Sequence, residues 1–173
     1  MPMTPDQATF LRDNAIRTLK MEQPVTQRVI EAIPLDKRDY RPDEFAKSAL
    51  ELARHIVGAE HLFTTAVING AFDFTAPGGQ ASLTDPAEIG RWYADISRQD
   101  LEKLAAVPGE ALVKVVDFRG LFQLPAVAYL DFSMRHIVHH RGQLSVYLRP
   151  MGGKVPAIYG ESYDSAKAKQ AGA

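Results

Sequence analysis

Apolar residues recur at the 3.6-residue spacing of an amphipathic helix through four long segments, and prolines punctuate them. The first segment runs from Pro5 to Ile33, with Phe10, Leu11, Ile16, Leu19, Val25, Val29 and Ile30 as its apolar positions. Pro24 lies inside it and is expected to kink it or split it, and Pro34 ends it. A polar loop from Leu35 to Tyr40 leads to Arg41-Pro42-Asp43, where Pro42 or Asp43 is expected to open a second helix reaching Phe72. The stretch Phe74 to Leu83, with Pro77-Gly78-Gly79, reads as a loop. Thr84-Asp85-Pro86 then starts a third helix, which runs to Val107 and stops at Pro108-Gly109.

Ala111 to Phe118 is rich in β-branched residues and reads as a short strand or an extended crossover, with Arg119-Gly120 as a turn. A fourth helix is predicted from Leu124 to Arg149, closed by Pro150. The Gly-, Pro- and Tyr-rich stretch Lys154 to Asp164 should strap the helices, and Ser165 to Ala173 reads as a frayed helix or a disordered tail. Four helices with little strand predict an all-α four-helix bundle formed by one domain over residues 1–173.

Composition narrows the function. With 20 basic and 21 acidic residues and a net charge of −1, the chain has no basic stripe of the kind a nucleic-acid binder shows. It contains no cysteine, which excludes disulfides, thiolate ligands and a cysteine nucleophile. Its first residues lack a basic stretch followed by an apolar one, and no apolar run approaches the roughly 20 residues of a membrane span. A soluble, cytoplasmic protein with no membrane partner is the expectation.

The five histidines fall in two clusters, His55 and His61, then His136, His139 and His140. A helix turns about 100° per residue, so His136 and His140 stack one turn apart on one face. That face adjoins the apolar stripe of Leu130, Ile137 and Leu148, whereas His139 lies at its flank. His55 lines up with Ser48, Leu52, Ala59, Leu62 and Ala66, while His61, about 120° away, is expected to face out. The inward set is His55, His136 and His140. One inward histidine is ordinarily a hydrogen-bonded core residue. Three on two helices must each find a partner or cost free energy, and spacing alone leaves both the core and the metal-site readings open.

The segment His136-Ile-Val-His-His140-Arg-Gly-Gln-Leu144, between Met134-Arg135 and Ser145-Val-Tyr-Leu-Arg149, resembles the fourth-helix signature of the DinB/YfiT-like superfamily. Gly152-Gly-Lys-Val-Pro156-Ala-Ile-Tyr159-Gly160 resembles the tail that follows it in one branch, and Leu52-Ala-Arg-His55-Ile-Val-Gly-Ala-Glu60 resembles the other marker. These proteins are four-helix bundles described as damage-inducible or metal-dependent. The resemblance implies His55, His136 and His140 as ligands of one divalent metal ion, with zinc or nickel foremost and iron, manganese or cobalt as alternatives.

Three protein ligands leave an open coordination position, as catalytic sites do. The resemblance implies thiol-dependent transfer or isomerisation with a low-molecular-weight thiol co-substrate, and metal-activated-water hydrolysis stands beside it. Glu51, one turn before His55, and Gln143, one turn after His140's face, are the candidate catalytic or supporting residues. Tyr129 and Tyr147 read as core aromatics, Trp92 as packed between helices, and Arg141 as the partner of an acidic residue on a neighbouring helix. Gly142, unfavourable inside a helix by about 1 kcal/mol, suggests close backbone packing. The competing class is a non-catalytic metal- or small-ligand-binding stress protein. A small-molecule substrate and a homodimer complete the expectation.

Overall fold

The computed structural model describes residues 2–75 and 78–171. Its first helix, α1 (Pro5–Glu31), opens on a capping box in which the Thr4 hydroxyl and the Gln7 side chain each accept from the other's backbone N–H. It continues through Pro24 as one helix, so the expected split does not occur. Leu19, Val29 and Ile30 are buried on both sides of the proline, and this packing holds the two halves in line.

The second helix, α2 (Ala49–Asn69), begins later than expected. Its cap is Ser48, whose hydroxyl accepts from Glu51 N–H while the Glu51 carboxylate accepts from Ser48 N–H. Asp43 instead accepts from the backbone N–H of Phe45 and Ala46, both at 2.9 Å, and so caps an isolated turn. Gly70, at φ 72°, ends α2 in the left-handed conformation, short of Phe72. A short 3₁₀ turn, Gly79–Ser82, lies in the loop that follows; Pro77 of that loop falls outside the described residues. The third helix, α3 (Pro86–Ala105), is capped by Asp85 as expected.

After a one-turn helix, α4 (Gly109–Leu112), the chain forms a hairpin rather than a single strand or crossover. Strand β1 (Val115–Phe118) pairs antiparallel with β2 (Phe122–Pro125), in register Phe118↔Phe122 through Val115↔Pro125. Arg119 (φ 54°) and Gly120 (φ 72°) both take positive φ, and Leu121 N–H donates to Phe118 O at 2.9 Å. Three residues, 119–121, thus join the paired ends, and the positive φ of the first two gives the turn the twist that hairpins favour. The last long helix, α5 (Ala128–Leu148), therefore starts after Leu124, because residues 122–125 are spent on the ladder. The Tyr129 hydroxyl ties hairpin to helix, lying 2.8 Å from Val116 O and 3.1 Å from Phe122 O.

Helices α1, α2, α3 and α5 form the bundle, with α2 packed against both α3 and α5, and α1 against α3 and α5. The segment 152–162 runs irregularly across α1 and α5, and α6 (Tyr163–Ala171) follows with no buried residue. Gly172 and Ala173 lie outside the described residues. No helix among the described residues is long and apolar enough to cross a membrane.

Arg141 and Glu60 are among the polar side chains buried inside this apolar frame. Arg141, 1% exposed, donates to Glu22 at 2.5 Å, Thr26 at 3.2 Å and the Tyr159 hydroxyl at 2.5 Å. A buried guanidinium is tolerable only with partners of this kind. Arg141→Ala strands Glu22 and empties the space; it should cost about 3 kcal/mol or more, read from the shift of the urea midpoint.

Glu60, 4% exposed, accepts hydrogen bonds from the Tyr93 hydroxyl and from Ser97 at 3.1 Å. Burial pushes its carboxyl up to about 7 from the usual 4.5, against the opposing pull of those two donors. A pKa raised in the folded state means the folded protein binds the proton more tightly. Glu60's contribution is therefore fully present below about pH 4.5 and is lost as the pH rises through about 7. In Glu60→Gln the difference in stability between about pH 5 and about pH 8 should shrink relative to the parent, measured by urea unfolding at both values.

Candidate metal centre

The helical turn places His136 and His140 on the face of α5 that packs on α2, where His55 meets them. The ring centroids stand 4.7 Å apart for His55 and His136, 4.6 Å for His55 and His140, and 4.4 Å for His136 and His140. One nitrogen from each ring lies within 4.8 Å of the other two. All three are half-buried, so the cluster sits at the edge of the α2–α5 seam and not at the bundle centre.

The protonation of the cluster follows from its surroundings. His140 Nδ1 lies 3.0 Å from Gln143 Oε1, and Gln143 Nε2 donates to the Tyr147 hydroxyl at 3.1 Å. A carbonyl oxygen at Nδ1 holds the proton there and leaves Nε2 as a lone pair. That Nε2 faces His55 Nε2 at 3.3 Å. Burial, reinforced by His140 and then by Lys47, pushes His55 down to about 4. Burial and then the neighbouring imidazoles, His140 first, do the same to His136. Near neutral pH both rings are therefore uncharged, the form that donates a lone pair. His136 Nδ1 is buried without a hydrogen-bond partner, an orphan donor atom at the cluster.

The other two histidines stand apart. His139 is exposed at the flank, its ring 4.7 Å from that of His140. His61 does not face out as expected. Its Nδ1 lies 2.5 Å from Asp100 Oδ2 of α3, and its ring meets the edge of Trp92 at 5.9 Å. The face of α2 turned away from α5 is covered by α3.

Of the supporting candidates, Gln143 contacts a cluster histidine directly. Glu51 is occupied by the Ser48 cap and by an ion pair with Arg41 at 2.9 Å, and these hold its carboxyl below the usual range. It shares a cavity with His55 but makes no hydrogen bond to it among the described residues. Gly142 has nothing within 4 Å of where its Cβ would be, so close packing is not the reason for a glycine there.

Two cavities flank the cluster, of about 600 Å³ on the Arg41–Glu51 side and about 450 Å³ on the Phe63–Phe132 side. Gln80, Arg54 and His55 line both. Sequence reasoning missed Arg54, the neighbour of His55 on α2, and Gln80, which no helical pattern connects to the histidines. The one local sign is Gly58, one turn after His55: a Cβ there would lie 2.0 Å from Gln80 Nε2. A further cavity of about 610 Å³, between α1 and α5, lies away from the histidines, and its charged members Asp131 and Arg135 pair with each other.

The DinB family model matches residues 7–171, nearly the whole chain. The chain belongs to the DinB family. Among its relatives, YjoA of Bacillus subtilis (strain 168) is 32% identical over 130 residues, covering 74% of this chain and 82% of YjoA. YrdA of the same organism is 26% identical over 150 residues, covering 86% and 87% of the two chains. The crystal structure of the DinB-like protein YjoA superposes with a TM-score of 0.70 at 26% identity, over 86% of this chain and 99% of that one. A DinB-like protein from Bacillus cereus ATCC 10987 superposes at 0.71 and 22% identity, over 85% and 97%, and supports the fold alone. The DinB-type bundle is thus the frame on which the three histidines of this chain gather.

If Gln143 sets the His140 tautomer, Gln143→Leu should free Nδ1 to lose its proton to Nε2. Nitrogen NMR should then report the exchanged tautomer at His140 and a matching change at His55, whose Nε2 faces it, with His61 unchanged.

Proposed function

We propose that this DinB-family chain binds one divalent metal ion through His55, His136 and His140 and is a metal-dependent enzyme acting on a small molecule. The observation that carries this reading is the convergence of three imidazole nitrogens beside two cavities, both lined by His55 and one also by His136. Two imidazole nitrogens bound tetrahedrally to zinc at roughly 2.0–2.1 Å stand about 3.3 Å apart, which is the His55 Nε2 to His140 Nε2 separation. The orphan His136 Nδ1 and the absence of thiolate or carboxylate donors in the group fit zinc or nickel, with iron, manganese and cobalt sharing the preference for imidazole less strongly.

A divalent ion in such a site is a Lewis acid with an open position, able to lower the pKa of a water or a thiol. The chain's own residues do the rest. Gln143 keeps the His140 proton on Nδ1 and its ring in place. Phe63 and Phe132 shield the His136 side from water, with the Phe63 ring 6.2 Å from that of His136. Glu51 holds Arg41 beside the first cavity, a positioning role that its lowered pKa suits better than proton transfer. The reaction classes to screen are thiol-dependent transfer or isomerisation first and hydrolysis second.

Elemental analysis of protein purified without an affinity tag tests the reading. About one metal per chain is expected, lost in His55→Ala, His136→Ala and His140→Ala and retained in His61→Ala and His139→Ala. Equal loss in the last two variants, or no metal after reconstitution with zinc, nickel or manganese, would sink the assignment. Gln143→Ala should keep the fold by circular dichroism and weaken metal affinity by about 10–100-fold, as loss of an orienting partner does.

A further inference from the structure

The two cavities share Arg54, His55 and Gln80, and their remaining walls are chemically unlike. The first is bordered by Arg41, Lys47 and Arg54 with a single carboxylate, Glu51, which is already paired with Arg41. Among the described residues neither Lys47 nor Arg54 joins an ion pair. Arg54 donates both Nε, at 2.7 Å, and Nη2 to the Leu83 carbonyl, which holds its cationic head where it borders both cavities. Lys47 is exposed, and its charge reaches His55. Two uncompensated cations at the rim of a cavity attract an anionic group and gain energy from it where water is partly excluded.

The second cavity is walled by Leu62, Phe63, Phe118 and Phe132, with His136 at its inner end. Phe63 stacks on Phe118 at 5.7 Å and tilts against Phe132 at 5.1 Å, so the wall is a fixed aromatic surface. Between the two sides stands Gln80, seated over the bare backbone of Gly58. Its Oε1 is buried without a hydrogen-bond partner and packs on Gly78, where a Cβ would come within 2.3 Å of it.

We infer that the site takes a substrate of two unlike halves: an anionic group held by Lys47 and Arg54, and an apolar or aromatic group seated among Phe63, Phe118 and Phe132. This inference rests on the three-histidine centre proposed above only for where the reactive part of the substrate lies. The two contact surfaces are features of the chain itself.

Calorimetric titration of the full chain, loaded with zinc and checked for metal content first, tests it with three probes: 4-phenylbutanoate, 4-phenylbutanamide and butanoate. The phenylbutanoate should bind best, and butanoate, lacking the ring, about tenfold more weakly. Lys47→Gln, an exposed position that cannot disturb the core, should weaken phenylbutanoate about fivefold and leave the amide unchanged. Phe132→Ala should weaken both phenyl probes and leave butanoate unchanged. Equal affinity of the three probes, or loss of amide and carboxylate alike in Lys47→Gln, overturns the two-halved substrate. If no zinc is retained, the metal reading has failed, and the same titrations are run on the metal-free chain. The same pattern of losses then supports the two surfaces, and no binding overturns them.

Discussion

The arrangement depends first on Arg141, a charge buried at the point where α1, α5 and the C-terminal strap meet. A guanidinium with five donors has few acceptable positions inside a protein. Glu22 and Thr26 fix it to α1, one turn apart, and Tyr159 closes over it from the strap. Once Arg141 points to α1, the rotation of α5 about its axis is set. His140, one residue back and so about 100° around the helix, then has to face α2. His136 follows one turn earlier on the same side. The aim of the two histidines is thus fixed by an ion pair on another face of their helix.

The position of His55 depends on a different device. Its helix starts at a reciprocal cap between Ser48 and Glu51, which fixes the backbone two turns before the imidazole. Leu52 and Ile56, both fully buried, then lock the face. The segment that brings Gln80 is bound to the same helix by Arg54 at the Leu83 carbonyl, and the Trp92 indole packs on Gly79. A Cβ at Gly79 would approach Trp92 Nε1 to 2.8 Å, so this loop sits close on α3 as well. Imidazoles on helices and side chains on anchored loops are thus brought together from separate parts of the chain.

Much of this was legible from residue pattern. Proline and aspartate signals located α1, α3 and the end of α5 because those ends are local events, decided by one cap or one missing N–H. The start of α2 was misread because Asp43 and Ser48 are both competent caps, and only the Glu51 partner three residues on distinguishes the second. Strand β2 was hidden because Phe122-Gln-Leu-Pro125 has no pattern of its own; it is a strand by pairing with β1. The three converging histidines were found by helical angle, since α2 and α5 meet along one seam. His61 was misjudged by the same arithmetic, because a helix inside a bundle has more than one covered face, and α3 lies over this one. Gln80 and Lys47 could not be found that way, since they reach the site from loops.

The hairpin and the 79–83 segment have a consequence for how such a protein can diversify. The three histidines lie on two long helices whose orientation is set by core packing, a cap and a buried ion pair. The walls that differ in chemistry come in part from the hairpin, through Phe118, and from the loop, through Gln80 and Ala81. Insertions or substitutions in these connections change what the cavities admit while the helices carry the donors unchanged. The fold is therefore built so that selectivity can drift between descendants without each change having to rebuild the histidine cluster.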